Sequence, residues 1–113
     1  MIVTTTNSID GKEITDYLGI VSGEAIIGAH LFKDLFASVR DIVGGRSKAY
    51  EKTMKESKDT ALREIEEEGK RLGADAIVGI SIDSEVIGSN GMMMVTVTGT
   101  AVKLKTKSVP VSD

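Results

Sequence analysis

The sequence predicts an α+β domain, in which a mostly antiparallel sheet is packed on one face by a long helix. Three observations predict it: a glycine-punctuated strand pattern near the N-terminus, two consecutive amphipathic helical segments, and two strand patterns joined by Asn90-Gly91. The last is a strong hairpin signal, because both turn positions need positive φ. With 113 residues, the chain is expected to form a single domain over residues 1–105, followed by a flexible C-terminal tail at residues 106–113.

Two strands are expected before the helices. Residues 2–6 are short and β-branched, which favours a peripheral strand, and Asp10-Gly11 is a turn signal. A longer strand is predicted from about residue 14 to residue 27, with mostly small residues at its odd positions and larger ones at its even positions. Gly19 and Gly23 lie on the small face, and repeated glycines on one strand face indicate a bend or the close approach of another element.

Two helices are predicted next. In the first, residues 29–43, the apolar side chains fall within an arc of roughly 140°, and Gly44-Gly45 favours a helix end. The second begins near Ser47, a residue type that caps helix starts, and runs to about residue 72. Its polar face carries acid–base pairs four residues apart, which are typical of a solvated surface: Glu51/Lys55, Asp59/Arg63 and Glu66/Lys70.

The predicted hairpin has one strand over residues 75–87 and a return strand over residues 92–104. An alternating pattern predicts that one face of the first strand carries Ala76, Val78, Ile80, Ile82 and Val86. In the return strand, small and β-branched apolar residues alternate with Thr96, Thr98 and Thr100. The second face of the sheet is expected to mix polar and apolar residues: Ser81, Asp83, Glu85, the three threonines, Ile77, Met92, Met94, Val102 and Leu104. We interpret this mixture as a subunit interface or the lining of an oligomer.

Composition excludes several classes of function. The net charge of −3 argues against nucleic-acid binding, which needs a basic surface to displace counterions. The absence of cysteine excludes disulfides, thiolate metal sites and thiol nucleophiles. No apolar run approaches the length of a membrane span, and the N-terminus lacks a basic region followed by an apolar one. A cytoplasmic protein without a membrane partner is therefore expected.

Four segments resemble the YbjQ family: VSGEAIIGA at residues 21–29, FASVRDIVGGRSKAYE at 36–51, LGADAIVGI at 72–80 and NGMMMVTVTGTAV at 90–102. The resemblance extends from about residue 2 to residue 105. It implies a small bacterial or archaeal protein, in a family that is labelled heavy-metal-binding and has no established activity. It also implies a βαββ subunit like that of dodecin and a homo-oligomeric ring of five copies.

The family label directs attention to metal ligands. The chain offers one histidine, His30, while Met92, Met93 and Met94 alternate between the faces of a strand and cannot converge on one ion. A symmetry axis could instead gather oxygen ligands for Ca²⁺ or Mg²⁺ from a carboxylate cluster comprising Glu24, Asp83 and Glu85. Solvated charges or intersubunit salt bridges are the more favoured interpretation of these carboxylates, and no cofactor is expected.

A second candidate site lies between the two predicted helices. Its residues combine free backbone N–H groups at a helix start with basic side chains, which favours an anion: Arg40, Gly44, Gly45, Arg46 and Ser47. The spacing is not that of a P-loop. In the alternative that we favour, the segment is a plain turn in which Arg46 pairs with Asp41 or Glu51.

Lys58 lies on the apolar face of the second predicted helix. A lysine in such a place either extends its amine to solvent or meets a carboxylate. The candidate partners are Glu24, Asp83 and Glu85, so we interpret Lys58 as part of a structural or interface ion pair.

These features favour a homo-oligomeric binding or scaffold protein without catalytic activity, whose partner is itself and whose small ligand is unknown. The alternative is a metal- or anion-binding protein whose site forms between subunits. A small enzyme with an intersubunit site is the least supported class, because no serine has a motif context and His30 is the single histidine.

Overall fold

The computed structural model describes residues 1–28, 48–87 and 92–108. In chain order, these residues form β1 (Ile2–Val3), β2 (Lys12–Ile27), α1 (Lys48–Arg71), β3 (Ala76–Ile87) and β4 (Met92–Thr106). The described part is therefore an α+β structure with a mixed, curled sheet and one helix, which confirms the predicted fold class at that level. The first predicted helix and the Asn90-Gly91 turn lie outside the described residues.

The sheet has the strand order β1-β3-β4-β2. β4 pairs antiparallel with β2, from Lys12 opposite Thr106 to Ile27 opposite Met93, and antiparallel with β3 on its other side. β1 is short and parallel to β3. The prediction of a mostly antiparallel sheet is thus confirmed, and β1 is the peripheral strand expected near the N-terminus.

α1 packs against one face of the sheet, which we call the helix face. The buried residues between them form one cluster: Val21, Ala61, Ile65, Ile77, Ile80, Val95, Val97 and Ala101. The helix backbone comes closest at Gly23, where an added Cβ would overlap the carbonyl oxygen of Ala61 and lie 3.0 Å from the amide nitrogen of Ile65. The close approach predicted from the glycines of β2 is therefore confirmed at Gly23. Among the described residues, no helix is long and apolar enough to cross a membrane.

A β-bulge interrupts the alternation of β3. Val78 pairs with Thr100 and Ser81 with Thr98, so Gly79 and Ile80 together oppose a single residue. Gly79 has φ of +62°, a left-handed conformation that glycine adopts without steric cost. The bulge places Ala76 and Val78 on the opposite face from Ile80, so the prediction that all three share a face is wrong. Ile77 lies on the helix face, which corrects its predicted place on the second face.

Replacing Gly79 by alanine is expected to lower the free energy of unfolding by about 1–2 kcal/mol, the cost of a Cβ in the left-handed region. Space is not the reason, because the nearest atom to an added Cβ is Asn7 Oδ1 at 3.6 Å. Gly79→Asn should cost less, since asparagine tolerates this conformation. Urea denaturation measures both variants, and equal losses would contradict the conformational explanation.

A second bulge changes which side chains of β2 face each side of the sheet. Tyr17 pairs with Val102 and Gly19 with Ala101, so Leu18 is the extra residue. Leu18 consequently packs against the cluster of the helix face, whereas Tyr17 shares a face with Ile20. An uninterrupted alternation had predicted that Tyr17 shares a face with Val21 and that Leu18 shares a face with Ile20.

The N-terminal segment covers one end of the face opposite α1. There Ala76, Val78 and Val102 are buried in a small cluster that Ile9, Ile14 and Leu104 complete. Backbone hydrogen bonds hold the segment in place: the Gly79 N–H donates to Thr6 O over 2.8 Å and the Ile80 N–H to Thr4 O over 3.1 Å. Only this end of the face is closed by the described residues.

The chain is elongated for its length. Its radius of gyration is 18.6 Å, against about 13 Å for a compact domain of this size. Its accessible surface is 7683 Å², against roughly 6,000 Å² expected for a folded monomer of 12.0 kDa. A sheet of long strands covered on one side therefore leaves much of its surface in water.

Candidate functional site

The candidate site is the part of the sheet opposite α1 that the N-terminal segment leaves uncovered, which we call the open face. The register across β3, β4 and β2 arranges its side chains in rows. Thr100 and Ile20 lie beside the covered Val78, and the next rows are Ser81–Thr98–Ser22, Asp83–Thr96–Glu24 and Glu85–Met94–Ile26. Hydroxyl groups therefore occupy the centre, with carboxylates on both outer strands and apolar side chains at either end. The mixture of polar and apolar residues predicted for this face is therefore confirmed, except that Ile77 lies on the helix face.

Large apolar side chains stand exposed on the open face. The exposed fraction is 84% for Ile20, 74% for Tyr17 and 57% for Ile26. All three belong to β2, at the edge of the sheet. Sequence reasoning missed Tyr17 as a member of this group, because the bulge at Leu18 that reorients it leaves no signal in the alternation pattern.

The structure brings the three predicted carboxylates to the same face. Glu24 and Asp83 are both paired with Thr96, on opposite sides of it, so two strand spacings of about 4.8 Å separate their backbones. Glu85 lies two residues beyond Asp83, and all three residues are exposed. Even so, no group of three His, Cys, Asp or Glu within the described residues is close enough to hold a metal ion.

Lys58 lies on α1, on the other side of the sheet from these carboxylates, and it is exposed. Among the described residues, no ion pair joins it to Glu24, Asp83 or Glu85. Pairing with them requires a second copy of the chain, so the interface ion pair stays a prediction. Of the three acid–base pairs predicted on the helix, Glu66 and Lys70 lie 4.0 Å apart.

The predicted anion site falls outside the described residues. This applies to Arg40, Gly44, Gly45, Arg46 and Ser47, and also to His30. α1 is described from Lys48 onward, so the predicted helix start near Ser47 also falls outside the described residues. The anion site and its alternative as a plain turn both stay predictions.

Two shallow hollows lie away from the open face. The larger has a volume of about 430 Å³ between β1 and α1, and is lined by Val3, Asp59, Leu62, Arg63 and Glu66. The other is lined by the N-terminal segment: Ile2, Thr4, Thr6, Ser8, Ile9 and Asp10. Neither of these two hollows involves the residues of the open face.

Comparison with known proteins identifies the family. The YbjQ model, described as "Putative heavy-metal-binding", matches residues 1–105. The chain belongs to the YbjQ family. A UPF0145 protein of Bacillus thuringiensis subsp. konkukian (strain 97-27) is 59% identical over 104 residues, which cover 92% of this chain and 100% of that protein.

A solved structure supports the fold of this YbjQ-family chain. It is a crystal structure, at 2.73 Å resolution, of a protein of unknown function in the DUF74 family from Pediococcus pentosaceus ATCC 25745. The match has a TM-score of 0.59 and 18% sequence identity, and covers 93% of this chain and 98% of that one. At this identity the likeness shows a shared fold and no more.

Proposed function

We propose that this YbjQ-family protein is a homo-oligomeric binding or scaffold protein without catalytic activity. The observation that carries the proposal is the open face, where Tyr17, Ile20 and Ile26 are each more than half exposed. Tyr17 and Ile20 are neighbours on this face, whereas Ile26 lies beyond Ser22 and Glu24 at its other end. Exposed apolar side chains that lie together mark interaction sites. A second copy of the chain seated on this face removes its apolar side chains from water.

The sheet edges favour the same arrangement. Among the described residues, β2 has no strand on its outer side, and β1 pairs with β3 only at Ala76 and Ile77. Each copy thus presents two different edges with unpaired backbone groups. Head-to-tail contact between unlike surfaces closes into a ring when the rotation permits, and closure leaves no free edge. The count of five copies and the dodecin-like subunit come from the family resemblance and form part of this proposal.

The donor groups on the open face give little support for catalysis. A serine nucleophile needs a base within hydrogen-bond reach, and the single histidine of the chain, His30, lies outside the described residues. The alternative of a metal or anion site between subunits has less support: its carboxylates share a face, but the anion residues lie outside the described structure.

The oligomeric state tests the proposal. By native mass spectrometry and light scattering, the wild-type chain is expected to form one multi-copy species at micromolar concentration. Ile20→Lys should shift it to smaller species, because burying an unpaired charge in an interface is strongly unfavourable. Thr5→Lys, at an exposed position before β2, is the control and should leave the assembly intact.

Two results would contradict the proposal. A wild-type chain that remains a monodisperse monomer would exclude a homo-oligomer. A wild-type oligomer that Ile20→Lys leaves unchanged would show that the open face is not the surface between copies.

A further inference from the structure

The description of the family as heavy-metal-binding implies particular ligand atoms, and these can be compared with the side chains that this chain offers. Soft and borderline ions such as Cu⁺, Cd²⁺ and Zn²⁺ are held in proteins mainly by thiolate, imidazole and thioether groups. The chain contains no cysteine, one histidine and five methionines. Thiolate ligands are therefore excluded throughout the chain, and any soft site must be built from His30 and the methionines.

The methionine sulfurs are distributed over different parts of the structure. In β4, Met93 is 6% exposed and faces the same side as Val95, whereas Met92 and Met94 face the open side by alternation. Met54 packs against the cluster of the helix face, and the sulfur of Met1 lies near Gly69 of α1. Most of these thioethers are explained by packing, so within one copy they do not form a ligand set.

Oxygen donors do not supply the missing ligands. Glu24, Asp83 and Glu85 suit Ca²⁺ or Mg²⁺ and are poor ligands for soft Cu⁺. Zn²⁺ accepts carboxylates, but in protein sites it combines them with imidazole or thiolate ligands. Within the described residues they do not form a metal-holding group of three. Symmetry in a ring multiplies only the donors that each copy already has, so it can gather His30, Met92 or Met94 but cannot create a thiolate.

We infer that this chain does not bind soft or borderline heavy-metal ions tightly, and that the description of its family does not extend to this member. The inference rests on the donor set of the chain, in which His30, Met92 and Met94 are the only soft or borderline ligands that a ring could gather.

Metal titration of the full chain tests the inference. Zn²⁺, Cd²⁺ and anaerobic Cu⁺ are added separately, and the melting temperature is recorded together with bound metal by native mass spectrometry and by elemental analysis after dialysis. We expect no stoichiometric metal and no rise in melting temperature. A site filled at 100 times its dissociation constant would raise the melting temperature by about 10 °C or more.

A designed variant with an introduced Zn²⁺ site serves as the positive control for the assay. Ser22 and Thr98 are paired residues of the open face, so Ser22→His with Thr98→His places two imidazoles side by side at cross-strand distance. Zn²⁺ should stabilise this variant and not the wild-type chain. Elemental analysis of the dialysed wild-type protein gives an independent measurement if the variant folds poorly.

Stoichiometric Zn²⁺, Cd²⁺ or Cu⁺ retained by the wild-type chain would overturn the inference. Loss of that metal in His30→Ala would assign it to imidazoles gathered by symmetry, and loss in the double variant Met92→Leu/Met94→Leu would assign it to thioethers. Either result would leave the proposed oligomer standing, whereas a metal-free monomer would remove the oligomer and leave this inference intact.

Discussion

Gly23→Ala is expected to lower the free energy of unfolding by about 3 kcal/mol, the upper part of the range for overpacking. The added Cβ would overlap the carbonyl oxygen of Ala61 and approach the amide nitrogen of Ile65 to 3.0 Å. Both atoms belong to the helix backbone, which cannot move aside as a flexible side chain does. α1 must therefore shift away from β2, and the contacts of the buried cluster loosen with it. Urea denaturation followed by circular dichroism measures the loss.

Gly28→Ala is the matched control for this change. Gly28 follows directly after β2, and no atom of the described residues lies within 4 Å of the position that its Cβ would take. We expect a change within about 0.5 kcal/mol, the usual range for surface substitutions. Similar losses at Gly23 and Gly28 would mean that glycine is needed in this segment for a reason other than the approach of α1.

Ile77→Ala is expected to lower the free energy of unfolding by about 4 kcal/mol, within the range for large-to-small changes in a core. Ile77 is 0% exposed. Its Cδ1 and Cγ2 atoms lie 2.9 Å and 2.8 Å from the Cβ positions of Gly69 and Gly99, respectively. The side chain thus fills the space that two glycines leave between α1 and the sheet, and its removal opens a cavity there.

Ile2→Ala is the control for Ile77→Ala, because Ile2 is an isoleucine that is 48% exposed. Ile2→Ala should lower the free energy of unfolding by less than half the amount expected for Ile77→Ala. A second test combines variants. Gly99→Ala alone should be destabilising, because Ile80 Cδ1 and Ile77 Cγ2 lie 2.7 Å and 2.8 Å from its added Cβ. Its cost should fall in part in the Ile77→Ala background, where one of these two close contacts is removed. Additive effects of the two substitutions would contradict the direct contact between these positions.

Both predictions concern glycines that set the distance between helix and sheet. The glycines of β2 indicated a close approach from sequence alone, and Gly23 confirms it. Gly69 and Gly99 gave no comparable signal, because their partner Ile77 had been assigned to the wrong face. The error arose at the bulge after Val78, where the two-residue period of β3 is interrupted.

The strands and the second helix were predictable because their signals are local. The predicted ranges 14–27, 47–72, 75–87 and 92–104 correspond to Lys12–Ile27, Lys48–Arg71, Ala76–Ile87 and Met92–Thr106. The alternation of valine and threonine in β4 also determined its two faces, since successive side chains of a strand point to opposite sides. In the same way, the absence of cysteine limits metal chemistry whatever the fold.

Only the tertiary structure decided how the open face is assembled. The sequence placed Glu24 and Asp83 far apart in the chain, and the order β3-β4-β2 sets them on either side of Thr96. The bulges at Leu18 and Gly79 then determine which apolar residues remain exposed. Strand order and bulge position depend on hydrogen bonds between residues that are distant in sequence. Hydrophobic periodicity reflects only the local backbone, so it predicted the strands and the second helix but not the strand order or the bulges.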